Sequence, residues 1–210
     1  MKKTMLSIVS VMLLMTGLAK ATPIIGVENL PLDADSVITF NDAGLANFAA
    51  VSNQFSGEGA SFDGLSYSTG FSARANTDGG LLFAFSQGPA STSFTIDFTS
   101  TVSRAFFALG SNQGLGTFSA FLGGNLVELF KADISNTASP LSDSTRQPNV
   151  FGFEGLIFDR LVFSEIGSTG YSLDNLSFDI AVTQVPIAGT LYLVLLSFCG
   201  LFASRKLKKN

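Results

Sequence analysis

The sequence predicts an all-β, antiparallel domain, a sandwich or barrel, held between two apolar terminal segments. Three observations predict it. Apolar and polar residues alternate at period two in short runs such as Phe94-Thr95-Ile96-Asp97-Phe98. Glycine-rich turn signals punctuate those runs at close spacing, as at Asp63-Gly64, Gly88-Pro89 and Gly123-Gly124. Long uncharged apolar stretches occur at the two ends of the 210-residue chain, and helical periodicity is hard to find between them.

The first element is residues 1–21, which read as a secretory signal helix. Lys2 and Lys3 form a charged start and Met5 to Leu18 carries no charge. Ala19 and Ala21 supply the small residues that a signal peptidase needs, so cleavage is expected to leave Thr22 as the first mature residue.

Residues 22–184 form the expected extracytoplasmic β domain. Its strands are expected at Val37–Asn41, Ala60–Ser68, Leu81–Ser86, Phe94–Phe98, Arg104–Gly110, Phe118–Leu122 and Asn125–Phe130. Three more are expected at Val150–Phe153, Ile157–Glu165 and Leu176–Ile180. The 21 phenylalanines suit a space between two sheets, because Phe fills volume without needing a polar partner. Ser135–Asn149, rich in Ser, Thr, Asn and Pro and lacking periodicity, is expected to be a long surface loop, most simply a disordered excursion.

The last element begins at Val185. Ile187–Ala203 is seventeen residues without a charge, roughly 25 Å of helix, enough to cross a thin hydrocarbon core. Arg205, Lys206, Lys208 and Lys209 follow at once in the tail 204–210, and such cations stay on the cytoplasmic side. The expected topology places the β domain outside, the tail inside and membrane lipid around the helix.

Charge narrows the function. All sixteen acidic residues lie between Glu28 and Asp179, and only five cations lie in residues 22–184, giving the domain a formal charge of −11. Such a domain repels phosphate backbones, so no nucleic-acid partner is expected. The chain has no His and no Trp, and its one Cys is Cys199 in the apolar run. That removes His-dependent triads, His-based metal sites and intrachain disulfides. The carboxylates sit at turns (Asp63, Asp78, Asp143) or on polar strand faces (Asp97, Asp179), and no Gly-x-Ser-x-Gly elbow is present, so no enzyme activity is expected.

Two resemblances add to this reading. Val185, Pro186 and Gly189, the apolar run and the basic tail resemble the PEP-CTERM sorting domain, with Ile187 and Ala188 standing where that pattern has Glu and a second Pro. The resemblance implies recognition by an exosortase-type membrane protease and delivery to the envelope or an extracellular polysaccharide matrix; a plain C-terminal membrane anchor is the alternative. The runs Ile38-Thr39-Phe40-Asn41-Asp42 and Tyr171-Ser172-Leu173-Asp174-Asn175-Leu176-Ser177-Phe178 are similar to jelly-roll domains found ahead of such signals, which resemble carbohydrate-binding modules. In jelly rolls of this kind the first and last strands lie close together, so Asn41, Asp42, Asp174 and Asn175 become candidate oxygen ligands for a structural Ca²⁺. Turn hydrogen bonding by the same Asx side chains is the ion-free alternative. The expected role is a non-catalytic structural component of an envelope or matrix, associated with polysaccharide; a lectin-like carbohydrate-binding module is the alternative, although Tyr67 and Tyr171 are the domain's only tyrosines.

Overall fold

A computed structural model describes residues 22–31, 33–41, 43–69, 76–77, 79–85, 93–112, 114–139, 144–166 and 170–182. Ala19, Ala21, Asp42, Asp78, the Gly88-Pro89 turn, and the whole of the C-terminal segment with Val185, Pro186, Gly189 and the basic tail lie outside the described residues.

Among the described residues eleven strands run in chain order: β1 Thr22–Val27, β2 Ser36–Ile38, β3 Ala50–Val51, β4 Ala60–Asp63, β5 Leu65–Ser68, β6 Leu81–Phe85, β7 Ser93–Ser111, β8 Leu115–Leu122, β9 Asn125–Asp133, β10 Val150–Ile166 and β11 Gly170–Ile180. Every recorded pairing is antiparallel. The main path is β3-β5-β6-β11-β7-β10-β8-β9, with β1 added to β10, β2 to β11 and β4 to β7.

The sheet is folded into two layers, and the rings prove it. Phe94 and Phe107 both belong to β7, and a straight strand would hold them about 40 Å apart. Their ring centroids are 5.7 Å apart, edge to face. The strand therefore doubles over and faces itself across the core. Its first half pairs with β4 and with the second half of β10, which continues through β8 to β9. Its second half pairs with the first half of β10, which carries β1, and with β11, which carries β2 and β6.

Alternation sorts side chains between the layers. Phe94, Ile96 and Phe98 point inward while Ser93, Thr95 and Asp97 line the outer face. From the facing layer Phe151 stacks on Phe118 at 5.0 Å, and Phe178 meets Phe98 at 5.2 Å. Removing any one of these rings is expected to cost about 3–5 kcal/mol, since the cavity cannot collapse between two sheets. The second half of β7 is buried on both faces, so alternation there gives way to the continuous run Ala105–Leu109. Gly152 marks how close β10 lies there: a Cβ on it would sit 2.0 Å from the Ala105 carbonyl oxygen.

Several boundaries differ from the sequence expectation. The strands expected at 94–98 and 104–110 are one nineteen-residue strand, because Thr99-Ser100-Thr101-Val102 holds no turn residue and bends without breaking. Likewise 150–153 and 157–165 fuse into seventeen-residue β10, where Gly155 at φ 77 absorbs a shift of register. The run expected as one strand at 60–68 is split at Gly64 into β4 and β5. β2 stops at Ile38, short of the expected Asn41, and Phe40 takes φ 59. The expected loop 135–149 is anchored, not a free excursion: Thr137 and Ala138 are buried, and Ala138 N–H bonds the Ser111 carbonyl at 2.9 Å.

Candidate functional site

The candidate ligand residues lie where three strands meet. β11 is flanked on one edge by β6 at residues 170–173 and by β2 at 176–178. Asp174 and Asn175 fall in the gap between those partners. On its other edge the register with β7 slips at the same point, between Asp174 and Ser177. Asn175 takes φ 50 there, the left-handed conformation that Asn tolerates better than most residues. The extra residue resets the alternation, so that Leu173 and Leu176 both reach the core cluster.

Hydrogen bonds lock the junction. The Asn175 N–H donates to Asp174 Oδ1 at 2.7 Å, and Asn175 Nδ2 donates to the Asn76 carbonyl at 2.7 Å. Asn76 Nδ2 in turn donates to Asn149 Oδ1 at 2.7 Å and to the Glu28 carbonyl at 2.8 Å. Asn41 Oδ1 accepts the Gly80 N–H at 2.9 Å, and a Cβ on Gly80 would meet the Phe40 carbonyl oxygen at 2.4 Å. Asn41 and Asn175 thus both grip the segment leading into β6. Asp174 and Asn149 are completely buried. Two further atoms of this region, Thr77 Oγ1 and Arg146 Nη1, are buried without a hydrogen-bond partner.

Ion pairs tie distant strands together. Arg104 bonds Asp179, its register partner on β11, and reaches Asp33 at 3.1 Å while its guanidinium lies 5.3 Å from the Phe106 ring centre. Burial pushes the Asp179 carboxyl upward, but the Arg104 hydrogen bond and charge, with the Asp35 N–H, outweigh it and hold the group below the usual carboxylate range. The bond to Asp179 raises Arg104 further, against its own partial burial. Arg146 pairs with Glu28 at 2.8 Å, and Arg160 pairs with Asp97 across β10 and β7 on the outer face.

The arrangement brings three of the four candidate ligands to one junction, with Asp42 outside the described residues. Asn41 and Asn175 act there on backbone groups of other segments, and the Asp174–Asn175 contact is local. No group of three His, Cys, Asp or Glu side chains gathers among the described residues. Thr22 opens β1 opposite Glu154, and Tyr67 and Tyr171 belong to the core.

One exposed aromatic escaped the sequence reading. Phe48 is 66% exposed, holds φ 68 and rests edge-on against Phe83 at 5.6 Å. A bulky residue at positive φ is uncommon, and here the Phe48 N–H is fixed to the Tyr67 carbonyl at 2.8 Å. Nothing in Leu45-Ala46-Asn47-Phe48-Ala49 signals this; the irregular backbone that exposes the ring has no periodicity to read.

No protein-family model matches this chain, and no curated protein is similar to it. Among solved structures, the chain is similar to a mutant of CBM29-2, a family 29 carbohydrate-binding module studied for ligand recognition, at 16% identity and a TM-score of 0.37 over 79% of this chain and 99% of that one.

Proposed function

We propose that the chain is an exported, non-catalytic structural component of a cell envelope or extracellular matrix, its sandwich jelly-roll-like and associated with polysaccharide. One observation supports this most. All three described arginines are engaged in ion pairs between distant parts of the chain, so these charges brace the fold. Export and sorting rest on the sequence: signal peptidase acts after Ala21, and an exosortase-type protease acts near Val185-Pro186 on a precursor held by residues 187–203. Mass spectrometry of both mature termini from the producing cell tests this. Thr22 at one end and loss of the segment beyond Val185-Pro186 are the expected result. An intact basic tail would mean a permanent anchor.

Carbohydrate binding is the second reading, and Phe48 favours it. Its strained, fixed and exposed ring is the kind of rigid apolar surface on which a sugar ring stacks. Retention of the protein on insoluble polysaccharide is expected to drop for Phe48→Ala. Equal retention of both forms would remove this reading.

A structural Ca²⁺ at the junction would draw on the side-chain oxygens of Asn41, Asp42, Asp174 and Asn175, part of its usual ~6–8 oxygen shell. Melting in Ca²⁺ is then expected at a higher temperature than melting in EDTA. Identical curves leave the hydrogen bonds as the whole account.

A further inference from the structure

Four neighbouring strands place one residue each in a single cross-strand row: Thr22 on β1, Glu154 on β10, Arg104 on β7 and Asp179 on β11. Register partners in an antiparallel ladder share a face, with Cα atoms about 4.5–5.5 Å apart. The charges in that row do not balance. Arg104 is taken up by Asp179 and Asp33, and the Asp35 N–H holds the other oxygen of Asp179. Glu154 is exposed, and among the described residues its carboxylate has no ion-pair partner.

The strand beside Glu154 has weak support of its own. β1 lies at an edge on β10, and its pairing slips at Gly26, which takes φ 58. Pro23 has no N–H to give, so the ladder falls to its neighbours Thr22 and Ile24 and turns the Thr22 nitrogen toward Glu154. In the unprocessed chain that nitrogen is an uncharged amide.

We propose that removal of the signal segment makes a latch: the freed α-ammonium of Thr22 pairs with the Glu154 carboxylate and holds β1 on β10. This rests on the export reading above, and within it on cleavage after Ala21. Hydrolysis adds water across the Ala21–Thr22 amide, leaving a carboxylate on the departing Ala21 and an ammonium group on Thr22. The new cation arrives opposite the one carboxylate of the row that lacks a partner. Other charged groups near β1 are engaged or distant. Arg104, next in the row, is turned to Asp179. On β9, which lies beside β1, Glu128 accepts the Leu129 N–H at 2.9 Å, while Lys131 and Asp133 stand opposite Thr117 and Leu115, toward the far end of β8. An ion pair keeps an amine charged to higher pH, so the latch is closed at neutral pH and opens as pH rises through the raised value.

The test uses the mature protein recovered from its producing cells. Reductive methylation with isotope-labelled formaldehyde marks the α-amine, keeps its charge and lets NMR follow its titration at low salt. The amine is expected to titrate at least half a unit above its ordinary ~7.7–8.0, to return to that range in Glu154→Gln and to stay raised in Glu128→Gln. In Glu154→Gln the Ile24 amide is also expected to exchange its hydrogen about two- to threefold faster. The latch is overturned by an amine value that Glu154→Gln leaves unchanged, by loss of the shift in Glu128→Gln instead, or by unchanged exchange at Ile24. The mass of the terminus separates the two ideas. Thr22 with an unmoved amine removes the latch and leaves export with cleavage after Ala21; a terminus other than Thr22 removes that cleavage and the latch with it.

Discussion

At the scale of single residues, the informative ones are polar groups placed where the fold must exclude water. Asp179 is one. Its folded carboxyl lies below the ordinary range because Arg104 and the Asp35 N–H outweigh its burial. A depressed acid stabilises the fold above the unfolded carboxylate range, near pH 4, and loses that contribution as pH falls through the folded value. Asp179→Asn is therefore expected to lower the melting temperature at pH 7 and to flatten its decline between about pH 4 and pH 2. Curves for the two proteins that stay parallel across that window would show that other carboxylates carry the acid response. Phe48 is the opposite case, an apolar ring left in water by a backbone held at φ 68.

At the scale of elements, β11 depends on its bulge. Asn175→Ala places a Cβ-bearing residue without a polar side chain at φ 50 and removes the bond to Asn76. About 2 kcal/mol is expected, roughly 4–8 °C in melting temperature, with Asn175→Gly losing about half as much because glycine accepts the conformation. Equal losses would mean that the backbone there is unstrained. Strand existence was largely legible, since nearly all the expected runs fall within strands. Strand length was not. Nothing local distinguishes a bend inside β7 from a turn between two strands, because the ring of Phe107 that folds β7 onto Phe94 acts through space. β1 went unread because Pro23 and Gly26 argue against a strand, and it exists by pairing with β10. The bulge did leave a trace: Tyr171 and Leu173 are spaced by two, Leu176 and Phe178 by two, and the step between the pairs is three. Read as a break in period, that step locates Asn175. The junction itself was half legible, with its Asx residues visible and their grip on residues 76–80 invisible.

At the scale of the whole molecule, the two layers are one folded ribbon. β7 and β10 belong to both, so neither layer can detach without straightening strands that the other layer holds. The order of pairing adds a consequence in time. β11, completed at Ile180, lies beside β7, β6 and β2 in the middle of its layer and brings Leu173, Leu176 and Phe178 to the core. Long-range pairings of this kind close slowly, and here the central gap stays open until the last strand arrives. A chain formed from its first residue therefore lacks a closed core almost to the end of the domain, and acquires its shape only once residues 170–180 are in place.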